Sequence, residues 1–295
     1  MDSKDLSPVA KDGYPRCSVV IPARNAAGTL DRCLQALRNG SGELIAEVIV
    51  VDDGSSDGTP ECAREAGARV LSVNGAGPAA ARNAGIRASV GEVVVFVDAD
   101  CVAEEGFLKA MLDPFSDPGV SGVRGRYASD QQSVIARFVQ LEMEEKQERL
   151  ASSSRVAIVD TACAAYRRGV FARHGGFDES FRSPSVEDAD FSFRLTSRGE
   201  RLVYAPEARV RHRHPESLWR YCWRKLRFGF YRVRLYRQYP GRLVEDGYTP
   251  RLMPVQIALS GILAAAALLG IWSPPARLAG LSAGMAFAAP TVPLV

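Results

Sequence analysis

The segment VIVVDDGSSDGT, residues 48–59, joins an apolar β-branched run to a turn rich in Asp, Ser and Gly. Uninterrupted runs of Val and Ile are typical of strands that are buried on both faces, as in parallel sheets. The residues that follow form tight turns, because Gly permits positive φ and Asp bonds nearby backbone groups. The segment therefore predicts a buried parallel strand whose carboxyl end carries Asp52 and Asp53.

Three further short apolar runs occur along the chain, at residues 17–22, 68–73 and 93–97. After the first run, apolar residues recur at i, i+3, i+4 and i+7, which predicts a helix with one apolar face. These residues are Leu30, Cys33, Leu34 and Leu37. A second helix is predicted from about Ala79 to Ala88. Strands that alternate with helices indicate an α/β fold with a mostly parallel central sheet.

A second acidic pair follows the run at 93–97, because Asp98 and Asp100 are its next charged residues. Two carboxylates one residue apart can approach one divalent cation while that cation bridges two phosphates. Open α/β sheets bind ligands beyond the carboxyl ends of their strands, so both acidic pairs are predicted to face one crevice. Each pair alone is better explained by a structural role, as a helix cap or an ordinary Asx-rich turn.

Seven segments over about residues 17–215 have a characteristic order and spacing. They are CSVVIPARN (17–25), VIVVDDGSSDGT (48–59), GPAAARNAGI (77–86), VVVFVDAD (93–100), GGFDESF (175–181), VEDADFSFRLTSRG (186–199) and the histidines that follow Arg211. Together they resemble glycosyltransferase family 2, whose members have the GT-A fold. The resemblance implies an enzyme that transfers a sugar, with inversion at the anomeric carbon, from a nucleotide diphosphate bound with Mg²⁺ or Mn²⁺.

The resemblance also implies which residues bind the donor. Pro22, Ala23 and Arg24 would line the nucleotide pocket at the end of the first strand. Asp53 would accept a hydrogen bond from the base, typically from uracil N3. Arg82 resembles the residue that helps to hold the nucleotide side of the donor. The expected donor is thus a nucleotide-sugar, with UDP or GDP as the nucleotide.

The same family pattern implies a metal site. Asp98 and Asp100 would form the DxD pair, with Asp100 favoured as the direct ligand and Asp98 closer to the ribose or to water around the metal. The family often places an imidazole near the metal or the diphosphate, and His212 fits that position slightly better than His214. The alternative is that both histidines are exposed or phosphate-facing residues of a basic loop.

Asp188 resembles the catalytic base of the family. Inverting transfer needs one carboxylate that removes the proton of the acceptor hydroxyl as its oxygen attacks the sugar. The neighbouring acids Glu187 and Asp190 are also compatible with a second interpretation, in which they interact favourably with the N-terminus of a helix.

One segment departs from the family pattern. Many relatives carry an Asn after a Gly in the strand before the Arg-Arg pair, whereas this chain has DTACAAYRR at residues 160–168. The usual polar group is missing or replaced by Asp160 or Thr161, so the pattern does not identify the sugar.

Two hypotheses from other classes compete with the transferase. A nucleotidyltransferase on a similar sheet would be expected to have a glycine-rich phosphate loop near the first strand, which PARNAAG (22–28) does not provide. A binding module without activity would tolerate the loss of Asp188 or of the DxD pair, and this chain has kept both.

The formal net charge of +3 is unevenly distributed, since residues 209–242 contain eleven Arg and Lys residues and one acid, Glu216. Within this stretch, residues 218–242 interleave aromatic residues with arginines. That composition favours an interfacial helix on anionic lipid headgroups. A nucleic-acid surface or a charged helix of a soluble domain are the alternatives. The apolar sequence that follows favours the membrane, so nucleic acid is not an expected partner.

An uncharged stretch of 25 residues, 252–276, is long enough to cross a bilayer as a helix. A second apolar stretch, 278–295, contains two prolines that disfavour another complete span. Arginines before the apolar stretch predict a cytoplasmic catalytic domain at the inner membrane. Six cysteines without CxxC spacing agree with a reducing compartment, and the polar residues 1–16 predict no signal peptide.

Four segments are therefore predicted. Residues 1–16 form a tail, 17–215 the GT-A domain, 216–250 a basic aromatic interfacial segment and 251–295 one or more membrane segments, the helices of the last two being amphipathic and transmembrane. The expected partners are a nucleotide-sugar donor, a glycan or lipid-linked acceptor from the cell envelope, and membrane lipids.

Overall fold

The computed structural model of the chain describes residues 13–39, 43–242, 259–262 and 265. The chain divides into two compact units, Met1–Gln238 and Tyr239–Val295. In the second unit, residues 259–262 and 265 are helical. Most of the predicted membrane segment 251–295 lies outside the described residues. Among the helices that are described, none is both long and apolar enough to cross a bilayer.

The first unit is built on one eight-stranded sheet, in the order β3-β2-β1-β4-β7-β6-β8-β5. The strands are β1 Cys17–Ala23, β2 Ile45–Asp52, β3 Arg69–Ser72, β4 Val93–Val97, β5 Val102–Ala103, β6 Val120–Ala128, β7 Cys163–Arg167 and β8 Arg201–Arg211. The first four strands are mutually parallel, as the β-branched runs predict. Antiparallel pairing of β7 with β4 and β6, and of β5 with β8, makes the sheet mixed. β6 and β8 pair in parallel, so four of the seven pairings are parallel. The prediction of a mostly parallel sheet is thus correct for the first four strands, whereas the other half of the sheet is mixed.

Helices cover both faces of this sheet. They are α1 Ala27–Arg38, α2 Thr59–Glu65, α3 Pro78–Ala88, α4 Phe107–Leu112, α5 Val134–Ala151, α6 Arg168–His174, α7 Glu187–Thr196 and α8 Leu218–Gln238. Side chains of β1 alternate between the faces, so Val19 and Ile21 belong to the core that contains α1 while Val20 belongs to the core that contains α3.

The predicted apolar face of α1 is confirmed, since all four of its residues are buried. Burial of each such leucine stabilises the fold by roughly 1.5–3 kcal/mol. On the other face, α3 approaches β1 closely at Gly85, where a Cβ would lie 2.3 Å from Val20 Cγ1. This close approach holds α3, and the polar side chains it carries, against the strand ends.

The cysteines are free thiols, as predicted. Four are buried, and Cys62 is partly exposed. Cys222 on α8 is exposed, contrary to the prediction that the cysteines are small buried residues, because its segment places apolar residues outside the core as well.

Candidate active site

Parallel pairing of β1 with β2 and β4 brings three strand ends to one edge of the sheet. Ala23, the last residue of β1, lies opposite Asp52, the last residue of β2. Asp53 and Asp98 follow the carboxyl ends of β2 and β4 directly. This is the arrangement expected from the sequence, because parallel strands end at the same edge.

Asp53 is buried at this edge and is fixed on two sides. Its N–H donates to the carbonyl of Ala23 at 2.8 Å, and its carboxylate accepts from the Gly77 N–H at 3.1 and 3.2 Å. Gly77 has φ +97°, and a Cβ there would lie 2.5 Å from the carbonyl oxygen of Arg182. The exposed Arg24 guanidinium lies 4.0 Å from the carboxylate. Pro22 is only partly buried beside them. Asp53 thus attaches the start of α3 to the strand end.

The other acids of the first acidic segment fold the loop itself. Asp52 accepts from the N–H of Ser55 at 3.2 Å. Asp57 accepts from the N–H groups of Ala27 and Thr59 and from the Thr59 hydroxyl, and that hydroxyl lowers the pKa of Asp57. The Asx-turn interpretation therefore describes Asp52 and Asp57, whereas Asp53 faces the site.

A buried arginine joins three separate elements at the centre of the site. Arg82 on α3 donates from Nη2 to Asp98 Oδ1 at 3.2 Å and from Nη1 to Glu187 Oε1 at 3.0 Å. Glu187, also buried, accepts from the Ser185 N–H at 2.9 Å. Burial opposes the charge of Arg82, but Asp98, Glu187 and Asp188 outweigh it and raise the pKa of the guanidinium. The Arg82 guanidinium thereby holds Asp98 and the start of α7 together.

Asp188 follows Glu187 in the first turn of α7 and is partly buried. One carboxylate oxygen accepts from the Ala189 N–H at 2.7 Å. Burial of the carboxyl, followed by the negative charges of Asp160 and Glu187, raises the pKa of Asp188 well above its ordinary value. A carboxylate that is poorly stabilised in this way gains free energy on taking up a proton, which suits a general base.

The raised pKa predicts that Asp188 costs stability at neutral pH. The folded state binds this proton more tightly than the unfolded chain, whose Asp pKa is about 3.9. The favourable contribution is full below that pKa and is lost as pH rises through the folded-state pKa. We expect Asp188→Asn, which mimics the neutral acid, to raise the Tm at pH 7 by about 2–4 °C for each kcal/mol regained. Melting curves between pH 3.5 and 8 check this, and the difference should shrink towards the acid end.

Asp190→Asn on the same helix is the matched comparison. Its carboxylate lies 3.1 Å from the Arg194 guanidinium, so its removal should lower the Tm. Equal changes of the same sign in both variants would contradict the electrostatic assignment of Asp188.

Asp160 occupies the position where the sequence departs from the family pattern. Its carboxylate lies 2.5 Å from Nη2 of Arg124, a residue of β6 that is fully buried. Nη1 of Arg124 donates to the carbonyl of Ile158 at 3.1 Å. Asp160 is therefore held in place beside Asp188. Sequence reasoning missed Arg124, although an arginine within a buried strand requires an anionic partner and is itself a signal.

Asp100 and His212 meet although 112 residues separate them. The antiparallel pairing of β5 with β8 places Val102 opposite Arg211, and His212 comes directly after that residue. His212 Nε2 lies 3.7 Å from Asp100 Oδ2. Donor atoms of Asp100, His212 and Cys101 all lie within 4.8 Å of one another.

The donor set at this position fits a divalent cation. A carboxylate and an imidazole are ligands that Mn²⁺ accepts, whereas Mg²⁺ prefers oxygen alone. Burial raises the pKa of the Cys101 thiol well above its ordinary value. Cys101 is not counted as a ligand because Mg²⁺ and Mn²⁺ prefer oxygen donors to sulfur. Asp98 is bonded to Arg82 instead of His212. The residues present would hold a cation through Asp100 and His212, and Asp98 lies two residues before Asp100 in the sequence.

His214 has a different environment from His212. It is buried, its Nε2 shares a hydrogen bond with Gln140 Oε1 at 2.9 Å, and its N–H donates to Gln131 Oε1. Burial lowers the pKa of His214 to about 4. His214 therefore links β8 to α5 and its preceding loop, and His212 is the histidine on the side of Asp100.

Asn83, next to Arg82, was not singled out from the sequence. Its amide accepts from the Phe177 N–H and donates to the Phe177 carbonyl, both at 2.9 Å. A Cβ on Gly176 would lie 2.2 Å from Asn83 Oδ1, so this contact requires glycine. The pair fixes the GGFDESF loop on α3 and thereby helps to position the start of α7.

Residues 18–175 match the family model described as Glycosyl transferase family 2. The chain belongs to this family. The family resemblance seen in the sequence is thereby confirmed.

Relatives within and near this family support the assignment. The pre-mycofactocin glycosyltransferase of Mycobacterium tuberculosis is 34% identical over 222 residues, which cover 72% of this chain and 46% of the relative. An N-acetylglucosaminyltransferase of Bradyrhizobium diazoefficiens is 27% identical over 287 residues, or 86% of this chain and 58% of the relative. The chain thus spans about half the length of these curated relatives.

Solved structures show the fold. The mannosyltransferase PcManGT from Pyrobaculum calidifontis, in complex with GDP-Man and Mn²⁺, has a TM-score of 0.58 at 20% identity, covering 98% of this chain and 91% of its own. Glucosyl-3-phosphoglycerate synthase from Mycobacterium tuberculosis, in complex with Mn²⁺ and UDP-Glc, has a TM-score of 0.51 at 21% identity, covering 70% and 73%. The family member described here has the same GT-A-like α/β fold, with a mixed, curled sheet.

Proposed function

We propose that this protein is an inverting glycosyltransferase that takes a sugar from a UDP or GDP donor with Mg²⁺ or Mn²⁺. One observation carries the proposal: Arg82 holds Asp98, at the end of β4, beside Glu187 and Asp188, at the start of α7. Asp188, whose carboxyl has a raised pKa, follows Glu187 directly in the chain, which supports its assignment as the base. Family membership and the nucleotide-sugar ligands named for the similar structures support it.

The proposal assigns a role to each residue of the site. Asp188 accepts the proton of the acceptor hydroxyl as that oxygen attacks the anomeric carbon from the face opposite the nucleotide. Asp53, with Arg24 beside it, orients the nucleoside, and Pro22 and Ala23 line the pocket. Asp100 and His212 would hold the cation. When bound, that cation supplies positive charge to offset the charge of the departing nucleoside diphosphate.

Arg82 contributes in a different way from the residues that meet the substrate. Its Nη1 and Nη2 groups are bonded to Glu187 and Asp98, so the guanidinium fixes the distance between the two acidic segments. We therefore assign it a positioning task, in addition to the nucleotide contact that the family pattern implies.

We propose a lipid-linked or cell-envelope glycan as the acceptor, and the cytoplasmic face of the inner membrane as the place of reaction. The support is the composition of the C-terminal part of the chain, with its basic aromatic residues 216–250 and the apolar residues 251–295. The domain boundaries given above, with the catalytic unit at 17–215, are part of this proposal.

Thermal shift against a panel of nucleotide-sugars with Mn²⁺ tests the donor and metal assignments. A nucleotide-sugar at 100 times its Kd should stabilise the protein by about 2.7 kcal/mol, which raises the Tm by roughly 5–10 °C. Asp100→Ala should remove the part of this shift that depends on Mn²⁺. Asp31→Ala, an exposed acid on α1, is the control and should keep the full shift. A panel in which no nucleotide stabilises the wild-type chain would overturn the proposal.

A further inference from the structure

Helix α8 carries an apolar stripe on its exposed side. The residues recur at the i, i+4, i+7 spacing of one helix face, and each is 56–76% exposed. They are Trp219, Trp223, Leu226, Phe230 and Val233. The rings of the two tryptophans stack, with centroids 6.2 Å apart and an interplanar angle of 19°. A continuous apolar stripe of this length is unusual on a free surface and indicates a binding face.

The opposite side of α8 is attached to the catalytic unit. Tyr221 donates to Glu142 of α5 at 3.1 Å, and its ring packs edge-on against Phe138. Further along, Leu235 is buried and the ring of Tyr231 contacts Phe181. These contacts fix the rotation of the helix about its axis, so the tryptophan stripe faces away from the sheet.

Helix α8 carries cations and no acidic residue of its own, although Lys225 is bonded to Glu142 and Arg234 lies 3.9 Å from Asp178. Helix α8 contains seven basic residues and no acidic residue. They are Arg220, Arg224, Lys225, Arg227, Arg232, Arg234 and Arg237. On a helical projection at 100° per residue, Arg237 falls in line with the stripe and Arg220 falls to one side of it, and both are exposed. An apolar stripe containing tryptophan with arginines beside it is the pattern of a helix that lies in a lipid headgroup layer.

We infer that the stripe of α8 binds the surface of an anionic lipid bilayer. The tryptophans and Phe230 would enter the boundary between headgroups and acyl chains, and the arginines would contact lipid phosphates. A second copy of this chain is a poor occupant, because two α8 stripes face to face would bring together the Arg220 and Arg237 side chains of both copies, and α8 has no acidic residue to pair with them. Nucleic acid is also disfavoured, since Leu226 and Val233 would then lie against phosphates. The inference deepens the membrane placement in the proposed function by naming the surface that docks, and it does not depend on the reaction that the protein performs.

Tryptophan fluorescence can report lipid binding by the stripe of α8. It has three tryptophans, of which two are in the stripe, so Trp272→Phe in the full chain leaves only Trp219 and Trp223 as tryptophan fluorophores. This variant is titrated with phosphatidylcholine vesicles and with vesicles containing 30% phosphatidylglycerol, both with brominated acyl chains. We expect a blue shift and quenching with the anionic vesicles, and a large reduction of both at 1 M NaCl. Because both remaining tryptophans are on α8, the fluorescence reports the surroundings of this helix even when another segment of the chain also contacts lipid.

Charge reversal tests the role of the arginines. In the Trp272→Phe background, Arg220→Glu with Arg237→Glu should raise the lipid concentration for half-maximal quenching by about 30-fold or more, since each cation contributes about fivefold near an anionic surface. The control is Arg32→Glu with Arg38→Glu, two exposed residues of α1 that give the same net charge. It should change the midpoint by less than about threefold. Circular dichroism is used to check that both double variants are folded.

Three outcomes overturn the inference. The first is unchanged fluorescence with anionic vesicles, and the second is equal quenching by neutral and anionic vesicles. The third is a spectral change that follows protein concentration or added single-stranded DNA instead of lipid, which would assign the stripe to a second copy or to nucleic acid.

Discussion

Asp188→Asn is expected to lower kcat by about 10²–10⁴-fold, the range that a positioned general base contributes. Asparagine keeps the size of the side chain and removes its ability to take a proton. The Arg82 pairs with Asp98 and Glu187 do not involve Asp188, so the affinity for the nucleotide-sugar should change by less than about threefold. A loss of kcat without a loss of donor binding is the signature of an interaction made only in the transition state.

The measurement is the release of nucleoside diphosphate from the donor that the thermal-shift panel selects, with a cell-envelope lipid extract as the source of acceptors. Wild-type turnover should rise with pH as Asp188 loses its proton, and the residual rate of the variant should not. Asp190→Asn is the control, because it removes one negative charge from the same helical turn. A variant lacking Asp188 with wild-type turnover would show that this carboxylate is not the base. A wild-type chain that binds donor without turnover would instead indicate a binding module.

Arg82→Met is expected to lower the free energy of unfolding by about 3–5 kcal/mol, and the Tm by roughly 6–20 °C. The methionine fills most of the space but leaves the buried Glu187 carboxylate without its cation. Donor affinity should fall as well, since Asp98 and the start of α7 lose their common partner. Chemical denaturation, followed by circular dichroism, gives the change in stability.

Two variants define how this loss arises. Arg87→Met, five residues further along α3, removes an exposed arginine 3.8 Å from Glu179 and should cost less than about 1 kcal/mol. Arg82→Met combined with Glu187→Gln should recover part of the stability, because no buried charge then lacks a partner. If Arg82→Met and Arg87→Met are equally stable, the buried ion pairs do not hold the site together.

The part of the fold that was predictable depends on local periodicity. The β-branched runs of β1, β2 and β4 and the apolar face of α1 repeat within a few residues, so the sequence shows them directly. The parallel half of the sheet follows from these runs, and so does the common edge where Asp53 and Asp98 emerge. The helix at α8 was also visible as a basic aromatic repeat.

The parts of the fold and of the site that could not be predicted depend on pairings between residues that are distant in the chain. β7 has the sequence CAAYR, which has little strand character. It pairs antiparallel with β4, with Val93 opposite Arg167 and Val97 opposite Cys163, and these partners are 74 and 66 residues apart in the chain. Glu187 looked like a helix N-terminal acid, and only the fold shows that Arg82, 105 residues earlier, is its partner. The choice between His212 and His214 likewise depends on the β5–β8 register, which no local pattern encodes.

The shortness of β5 has a consequence for how the sheet is completed. β5 is joined to β8 through two residue pairs, Val102 with Arg211 and Ala103 with Val210. Asp100 precedes β5 and His212 follows β8, so a cation that these two residues hold would add a second connection between strands that share only two residue pairs. Binding of that cation would therefore stabilise the β5–β8 pairing as well as serve the donor, so removal of the metal should weaken the edge of the sheet at β5.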